Sequence, residues 1–215
     1  MKKENGWFSD IILVDVINFS QLPALRQLEI ITYLTKSYSG MIKKMLRKSN
    51  MPLNRLVLGF VSTGDGFFCI LNPYMRGFGT ILGLSFNHFS QHISKRYPYF
   101  EGLRVAVHSG MVYEFEDILG NKNFIGDGLN ECSRYLEFKN YTISTVMISK
   151  TAYEGLKIFL KYNKDFQQLL IDMELKHSSF YKFEDKHGHE REGVLVWLRK
   201  AGIINPPKIN FTQIL

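Results

Sequence analysis

Two aspartates mark the chemistry in this sequence. Asp15 stands directly after Ile11-Ile12-Leu13-Val14, an unbroken apolar run of the kind carried by a strand buried on both faces. A carboxylate at the mouth of such a strand loses hydration, which is costly unless a cation or a set of donors answers it. Magnesium answers it well, because this hard ion takes a few carboxylates together with phosphate oxygens. The plainer alternative is an Asp that accepts backbone N–H groups in the turn that follows. Asp65 lies in Ser62-Thr63-Gly64-Asp65-Gly66, where Asp-Gly also serves as an ordinary hairpin turn. Brought to one sheet edge, the two carboxylates could hold two metal ions about 3.5–4 Å apart. That arrangement clamps the attacking and leaving oxygens of a phosphoryl transfer.

Two further groups extend this chemistry. Val16-Ile17-Asn18-Phe19-Ser20 reads as a tight turn entering a helix N-terminus, whose N–H groups and dipole suit a triphosphate. A plain capped helix start fits the same residues. Asn130 and Arg134 are four apart and project from one helix face. An amide that orients a ribose and a guanidinium that neutralises the reacting phosphate make a catalytic pair. A surface Asn beside a salt-bridged Arg is the alternative.

The elements that position these residues follow from hydrophobic period and turn chemistry. A strand over Ile11–Val14 precedes a long helix that Ser20 can cap, with Pro23 in its first turn. Leu22, Leu25, Leu28, Ile31, Leu34, Tyr38, Met41 and Met45 give that helix one apolar stripe. Leu53 to Ser62 and Phe67 to Leu71 read as strands joined through Gly64-Asp65-Gly66. A second helix is expected over 75–95, a strand over 104–112, and a loop entering a helix over 126–135. Val146-Met147-Ile148 is a short strand, Thr151 to Leu160 a short helix, and 180–199 a final hairpin. This order predicts an α+β fold, a sheet with helices packed on one face. One domain spans 1–200; residues 201–215, with Pro206 and Pro207, form a tail or packing arm.

Composition bounds the function classes. A chain of 215 residues, 45% hydrophobic and 22% charged, can bury a full core and is not a disordered chain. The net charge of +7 favours an anionic partner: nucleic acid, anionic membrane or polyphosphate. Lys43, Lys44, Arg47 and Lys48 suit the C-terminus of a helix. No aromatic-basic motif supports nucleic acid. Cys69 and Cys132 are the only cysteines, and Cys69 in its apolar stretch reads as a buried free thiol. Neither a signal peptide nor a membrane-spanning run is visible, so the cytoplasm is expected.

Taken together, the motifs resemble those of class III adenylate and guanylate cyclases. Asp15-Val16-Ile17-Asn18-Phe19-Ser20 is similar to the first metal-binding motif of that family, and Ser62 to Gly66 to its hairpin with the second metal Asp. Arg104-Val105-Ala106-Val107-His108-Ser109-Gly110 resembles the central strand ending in His-x-Gly. Gly126 followed by Asn130, Ser133 and Arg134 resembles the Gly-x-x-x-Asn-x-x-x-Arg helix. Four motifs in the family's order run from about Ile11 to Ile148.

The resemblance implies a ferredoxin-like-derived, mostly antiparallel sheet flanked by helices. It implies that Asp15 and Asp65, with the Val16 carbonyl, hold two Mg²⁺ or Mn²⁺ ions per site. The ribose 3′-hydroxyl of a nucleoside triphosphate would attack the α-phosphate and expel pyrophosphate. Phe19 and Ser20 belong to the triphosphate-binding turn, Asn130 orients the ribose, and Arg134 stabilises the transition state. Metal acids and the Asn/Arg pair come from different protomers in this family, so a homodimer is implied. Lys186 is the candidate for the family's late triphosphate-binding Lys.

Departures from the family concern the base. Adenylate cyclases usually place Lys, and guanylate cyclases Glu, four residues before the second metal Asp; here it is Val61. Seven residues before the transition-state Asn the family carries Asp or Cys; here it is Asn123. A Val cannot hydrogen-bond a purine edge, and such sites discriminate by pairing their polar groups. Small standalone cyclases altered in this way resemble the bacterial anti-phage pyrimidine cyclases of the Pycsar type. The resemblance implies UTP turned to cyclic UMP, a messenger read by a separate effector, with CTP or ATP as alternatives. Arg55, Asn123 and Asn54 are the candidate base contacts.

Other signals are weaker. No Walker A loop accompanies Asp15, and Gly77, Gly79 and Gly83 miss dinucleotide spacing and suit helix packing instead. His88 and His92 lack the Glu of a zinc protease. Asp185, His187 and His189 fit a polar turn better than a metal loop. The diguanylate cyclase turn needs a second acid, where Gly66 stands. A catalytically inactive cyclase-like module that binds nucleotide or dimerises is the competing function, and a nucleic-acid binder the third.

Overall fold

The computed structural model describes residues 6–138 and 145–200. The expected tail, 201–215, lies outside the described residues. The chain runs β1 (Gly6–Val16), α1 (Ala24–Ser49), α2 (Leu53–Leu56), β2 (Val57–Ser62), β3 (Gly66–Leu71), α3 (Gly79–Arg96), β4 (Leu103–Glu116) and β5 (Lys122–Ile125). It continues with α4 (Asp127–Tyr135), β6 (Val146–Ser149), α5 (Lys150–Tyr162), α6 (Lys164–Asp172), β7 (Leu175–His177), β8 (Tyr181–Glu184) and β9 (Glu190–Leu198). These strands form one sheet in the order β2-β3-β1-β4-β6-β9-β7, with β5 paired to β4 and β8 to β9. Every pairing is antiparallel except β4 with β6.

β1 lies at the centre because its residues from Ser9 to Val16 are all buried, the condition of a strand covered on both faces. Period-2 alternation sends Ile12, Val14 and Val16 into one core and Ile11 and Leu13 into another. Residues of α1, α3, α5 and α6 fill the first core. The second is smaller and is closed by α4, whose Leu129, Cys132 and Tyr135 recur at helical spacing. Helices therefore cover both faces, not one. α4 is short, and its apolar stripe is too brief for the sequence to assign it a side.

Several boundaries differ from the sequence reading for local reasons. Pro23 ends an extended approach (Leu22, φ −81°, ψ 145°) and itself caps α1, which begins at Ala24. Proline disfavours a helical conformation in the residue before it, so Ser20 cannot cap that helix. It sits in a separate 3-10 turn, Phe19–Gln21. The buried face of α1 starts only at Ile30; Leu25 and Leu28 are exposed. Residues 53–56 form a helical turn after Pro52 and not the start of β2. β5, α6 and β7 are additional elements. Gly83 packs flat on β4, where a Cβ would stand 2.9 Å from Val107 Cγ2, the helix-packing role expected of it.

Both cysteines are buried free thiols. The Cys132 thiol donates to the Ile11 and Ala106 carbonyls, and burial pushes its pKa up to about 12. No helix among the described residues is long and apolar enough to cross a membrane.

Candidate active site

The C-terminal end of β1 and the β2–β3 turn meet at one edge of the sheet. Asp15 pairs across the ladder with Gly66 on one side and Arg104 on the other. The Val16 N–H donates to the Asp65 carbonyl at 3.0 Å, so the backbones of the two acids are tied directly. Glycine is required after Asp65: a Cβ on Gly66 would fall 1.8 Å from the Val14 carbonyl oxygen. The turn itself is closed by the Thr63 N–H on the Gly66 carbonyl, while the Thr63 hydroxyl donates to the Asp65 carboxylate at 3.1 Å.

Asp15 is only 7% exposed. Burial pushes its carboxyl above the usual range, and the neighbouring Asp65 carboxylate pushes the same way. Arg104 opposes both. Its Nε and Nη2 donate to one Asp15 oxygen at 2.7 and 2.5 Å. Sequence reasoning missed this arginine although it opens the His-x-Gly strand motif. The β1–β4 register alone sets it opposite Asp15.

Two neighbouring acids, only one of them paired with a guanidinium, leave negative charge at a part-buried edge, a donor set that fits a hard divalent cation. Among the described residues no three His, Cys, Asp or Glu side chains gather around one point. Substrate phosphate and water oxygens must therefore complete such an ion's shell, as Mg²⁺ commonly requires.

The turn after Val16 differs from a helix N-terminus. Asn18 adopts a left-handed conformation (φ 54°), and the Gln21 and Leu22 N–H groups close onto the Asn18 and Phe19 carbonyls. Phe19 packs against the first core and Ser20 is exposed. The N-terminus of α1 begins a turn later because Pro23 interrupts the chain.

Asn130 and Arg134 lie on α4, with Asn130 exposed. Arg134 Nη1 donates to Glu137 at 3.0 Å and its Nε stands 4.0 Å from Asp185. Lys186 comes to the same place. Its N–H donates to Glu137 Oε2 at 3.1 Å and its Nζ is 3.7 Å from Glu137 Oε1. The structure thus gathers Arg134 and Lys186, and separately Asp15, Val16 and Asp65.

Within one protomer the two groups stay apart. From β1 to β9 is three strand spacings, about 14 Å, and from the row of Asp15 to Arg191 beside Asp185 is about 20 Å along the strands. Both lie on the second face, since Asp15 is two residues beyond Leu13 and Arg191 four before Leu195. Asn123 sits in β5 opposite Phe115, its Oδ1 accepting from the Phe124 N–H at 2.8 Å. Val61 is half-buried in the second core. Arg55 and Asn54 are exposed on α2, at the far end of β2 and roughly 20 Å from Asp65.

No protein-family profile matches the sequence, and no curated protein matches it. Solved structures do. The catalytic core of a rhodopsin-guanylyl cyclase with converted specificity, in complex with ATPαS, superposes with a TM-score of 0.65 at 15% identity, covering 92% of this chain and 100% of that one. The guanylate cyclase domain of a rhodopsin-guanylyl cyclase from Catenaria anguillulae, in complex with GTP, gives 0.58 at 15% identity over 91% and 100%. An adenylate/guanylate cyclase/hydrolase from Silicibacter pomeroyi gives 0.54 at 16% identity over 92% and 99%. The chain therefore has the fold of a class III nucleotidyl cyclase catalytic domain.

Proposed function

We propose that this protein is a nucleotidyl cyclase that converts a nucleoside triphosphate to a 3′,5′-cyclic nucleotide and pyrophosphate in sites shared by two copies of the chain. The observation that carries the proposal is the meeting of Asp15 and Asp65 at one sheet edge, within a fold whose solved examples include complexes with GTP and ATPαS.

Asp15, Asp65 and the Val16 carbonyl would hold two Mg²⁺ or Mn²⁺ ions. When bound, these ions acidify the ribose 3′-hydroxyl and offset triphosphate charge. The 3′ oxygen bonds to the α-phosphorus, the bond from that phosphorus to the pyrophosphate oxygen breaks, and the hydroxyl proton passes to solvent. Asn130 orients the ribose, Arg134 stabilises charge on the reacting phosphate, and Lys186 neutralises the departing end. Phe19 and Ser20 shape the turn beside the metal acids.

Separation of the metal acids from Arg134 supports a shared site. A two-fold pair of chains lays the acid edge of one copy against α4 of the other, twice. Phe8, Met111, Tyr113, Phe115 and Ile125 form an apolar strip on β1, β4 and β5, each at least 38% exposed. A contiguous patch of this kind marks an association surface.

Pyrimidine selection rests on Val61 and Asn123, at the positions where purine cyclases carry polar readers. The half-buried Val61 gives a purine edge nothing to pair with. UTP is the proposed substrate, and cyclic UMP the product, an anti-phage messenger for a separate effector in the cytoplasm. The placement of Arg55 and Asn54 does not support a base contact within the same protomer.

Incubating the purified protein with ATP, GTP, CTP and UTP separately, with Mn²⁺, tests the proposal. Cyclic product and pyrophosphate are expected fastest from UTP, and EDTA abolishes them. ATP-only turnover overturns the pyrimidine assignment. Metal-dependent nucleotide binding without product from any of the four makes the protein a binding module.

A further inference from the structure

Arg134 and Lys186 belong to elements that no backbone ladder joins. α4 lies across the second face, and the β8–β9 turn belongs to the sheet's far end. Cyclisation would need both cations fixed relative to each other, to well within an ångström. Something must hold the helix to the hairpin.

One buried carboxylate lies at that junction. The Asp185 side chain is fully covered. Its Oδ1 accepts the His187 and His189 N–H groups at 2.8 and 3.1 Å, which fixes the turn that carries Lys186. Its Oδ2 accepts from Arg191 Nη2 and Nε at 2.9 and 3.2 Å and stands 4.0 Å from Arg134 Nε. Arg191 in turn reaches back to α4 through Glu131 at 2.6 Å. Burial alone would raise this carboxyl, but the two N–H groups and Arg191 outweigh it and hold it far below the usual carboxylate range. Glu137, the other anion beside Arg134, lies in the turn just after α4 and is 28% exposed. Through the Lys186 N–H it adds a second tie to the turn, but one open to water, whereas the tie through Asp185 is buried.

Resting on the cyclase reading above, we infer that Asp185 is a positioning residue, whose buried carboxylate locks the β8–β9 turn to α4 and so sets Arg134 and Lys186 in one catalytic half-site. Asp185→Asn separates its two jobs. The amide oxygen still accepts the His187 and His189 N–H groups, so the turn and Lys186 persist. The charge that faces Arg191 and Arg134 is lost, and an NH₂ group takes the place of an acceptor there.

The test uses the full-length homodimer and whichever of ATP, GTP, CTP and UTP the wild type converts fastest. In Asp185→Asn, kcat is expected to fall about 100-fold with little change in KM, because Arg134 acts on charge that develops in the transition state. Subunit mixing gives a readout that general destabilisation does not share. Asp185→Asn mixed with Asp15→Ala should regain one working site per heterodimer. Mixed with Arg134→Ala it should regain none, because both defects lie in the same half-site. Wild-type kcat in Asp185→Asn overturns the inference, and so does recovery with both partners or with neither. A silent mixture of Asp15→Ala with Arg134→Ala, or an inactive wild type, instead removes the shared-site reading on which the inference stands.

Discussion

Asp15 lowers the stability of the fold that carries it. Burial raises its carboxyl, Arg104 offsets part of that, and Asp65 adds to it. A carboxyl raised on folding is worse off ionised in the native state, so its contribution is favourable at low pH and lost as pH rises through the folded value. Neutralising Asp65 relieves the like-charge contact. Metal-free Asp65→Asn is expected to melt about 3 °C higher than wild type, roughly 1 kcal/mol, while losing cyclisation. It should also lose the rise in melting temperature expected of the wild type with Mn²⁺. Melting curves with and without Mn²⁺ check both, and a lower melting point or a retained Mn²⁺ shift contradicts the assignment. The two acids were legible because each stands where a local pattern stops: Asp15 at the end of an apolar run, Asp65 in a Gly-Asp-Gly turn. Arg104 was not, since nothing local in the sequence specifies which residue a distant strand places opposite Asp15.

At the level of elements, the first turn of α4 approaches the sheet closely. A Cβ on Gly128 would lie 2.6 Å from Ile11 Cδ1 and 2.8 Å from the Met111 carbonyl. The helix that carries Asn130 and Arg134 thus lies directly on β4 and β1. Gly128→Ala should lift its first turn, costing about 1–3 kcal/mol in stability and about 100-fold in kcat if the shift nears 1 Å. Denaturant midpoints alongside steady-state kinetics separate the two effects; unchanged kcat in a folded variant shows that the position of α4 does not limit the chemistry. The strands β1, β4 and β6 could be anticipated from their apolar runs. β5 could not: Lys122-Asn123-Phe124-Ile125 has too short a pattern and exists by pairing with the extension of β4 beyond Val112. The side taken by α4 was equally hidden, as a nine-residue helix exposes its preference only when the sheet beneath it is known.

On the cyclase reading, the whole molecule divides its chemistry between opposite ends of one sheet. On the shared-site reading, the apolar strip on β4 and β5 joins two copies. Tyr113→Glu with Phe115→Glu changes side chains already 39% and 42% exposed, so the single chain should keep its stability within about 1 kcal/mol. Sedimentation should then report the mass of one chain, and cyclisation should fall at least about 100-fold as each acid edge loses the opposing guanidinium. A dimer that survives both changes places the interface elsewhere. Sequence conveyed this division only through resemblance, because no local pattern reports that Asp15 and Arg134 lie far apart in one chain. On the shared-site reading, the distance between those ends also governs output in a crowded cell. A solitary molecule would then carry two half-sites and no complete one, so when copies are scarce the yield would climb with the square of their number. Such a protein stays quiet while rare and switches on steeply as it accumulates, a threshold set by stoichiometry alone.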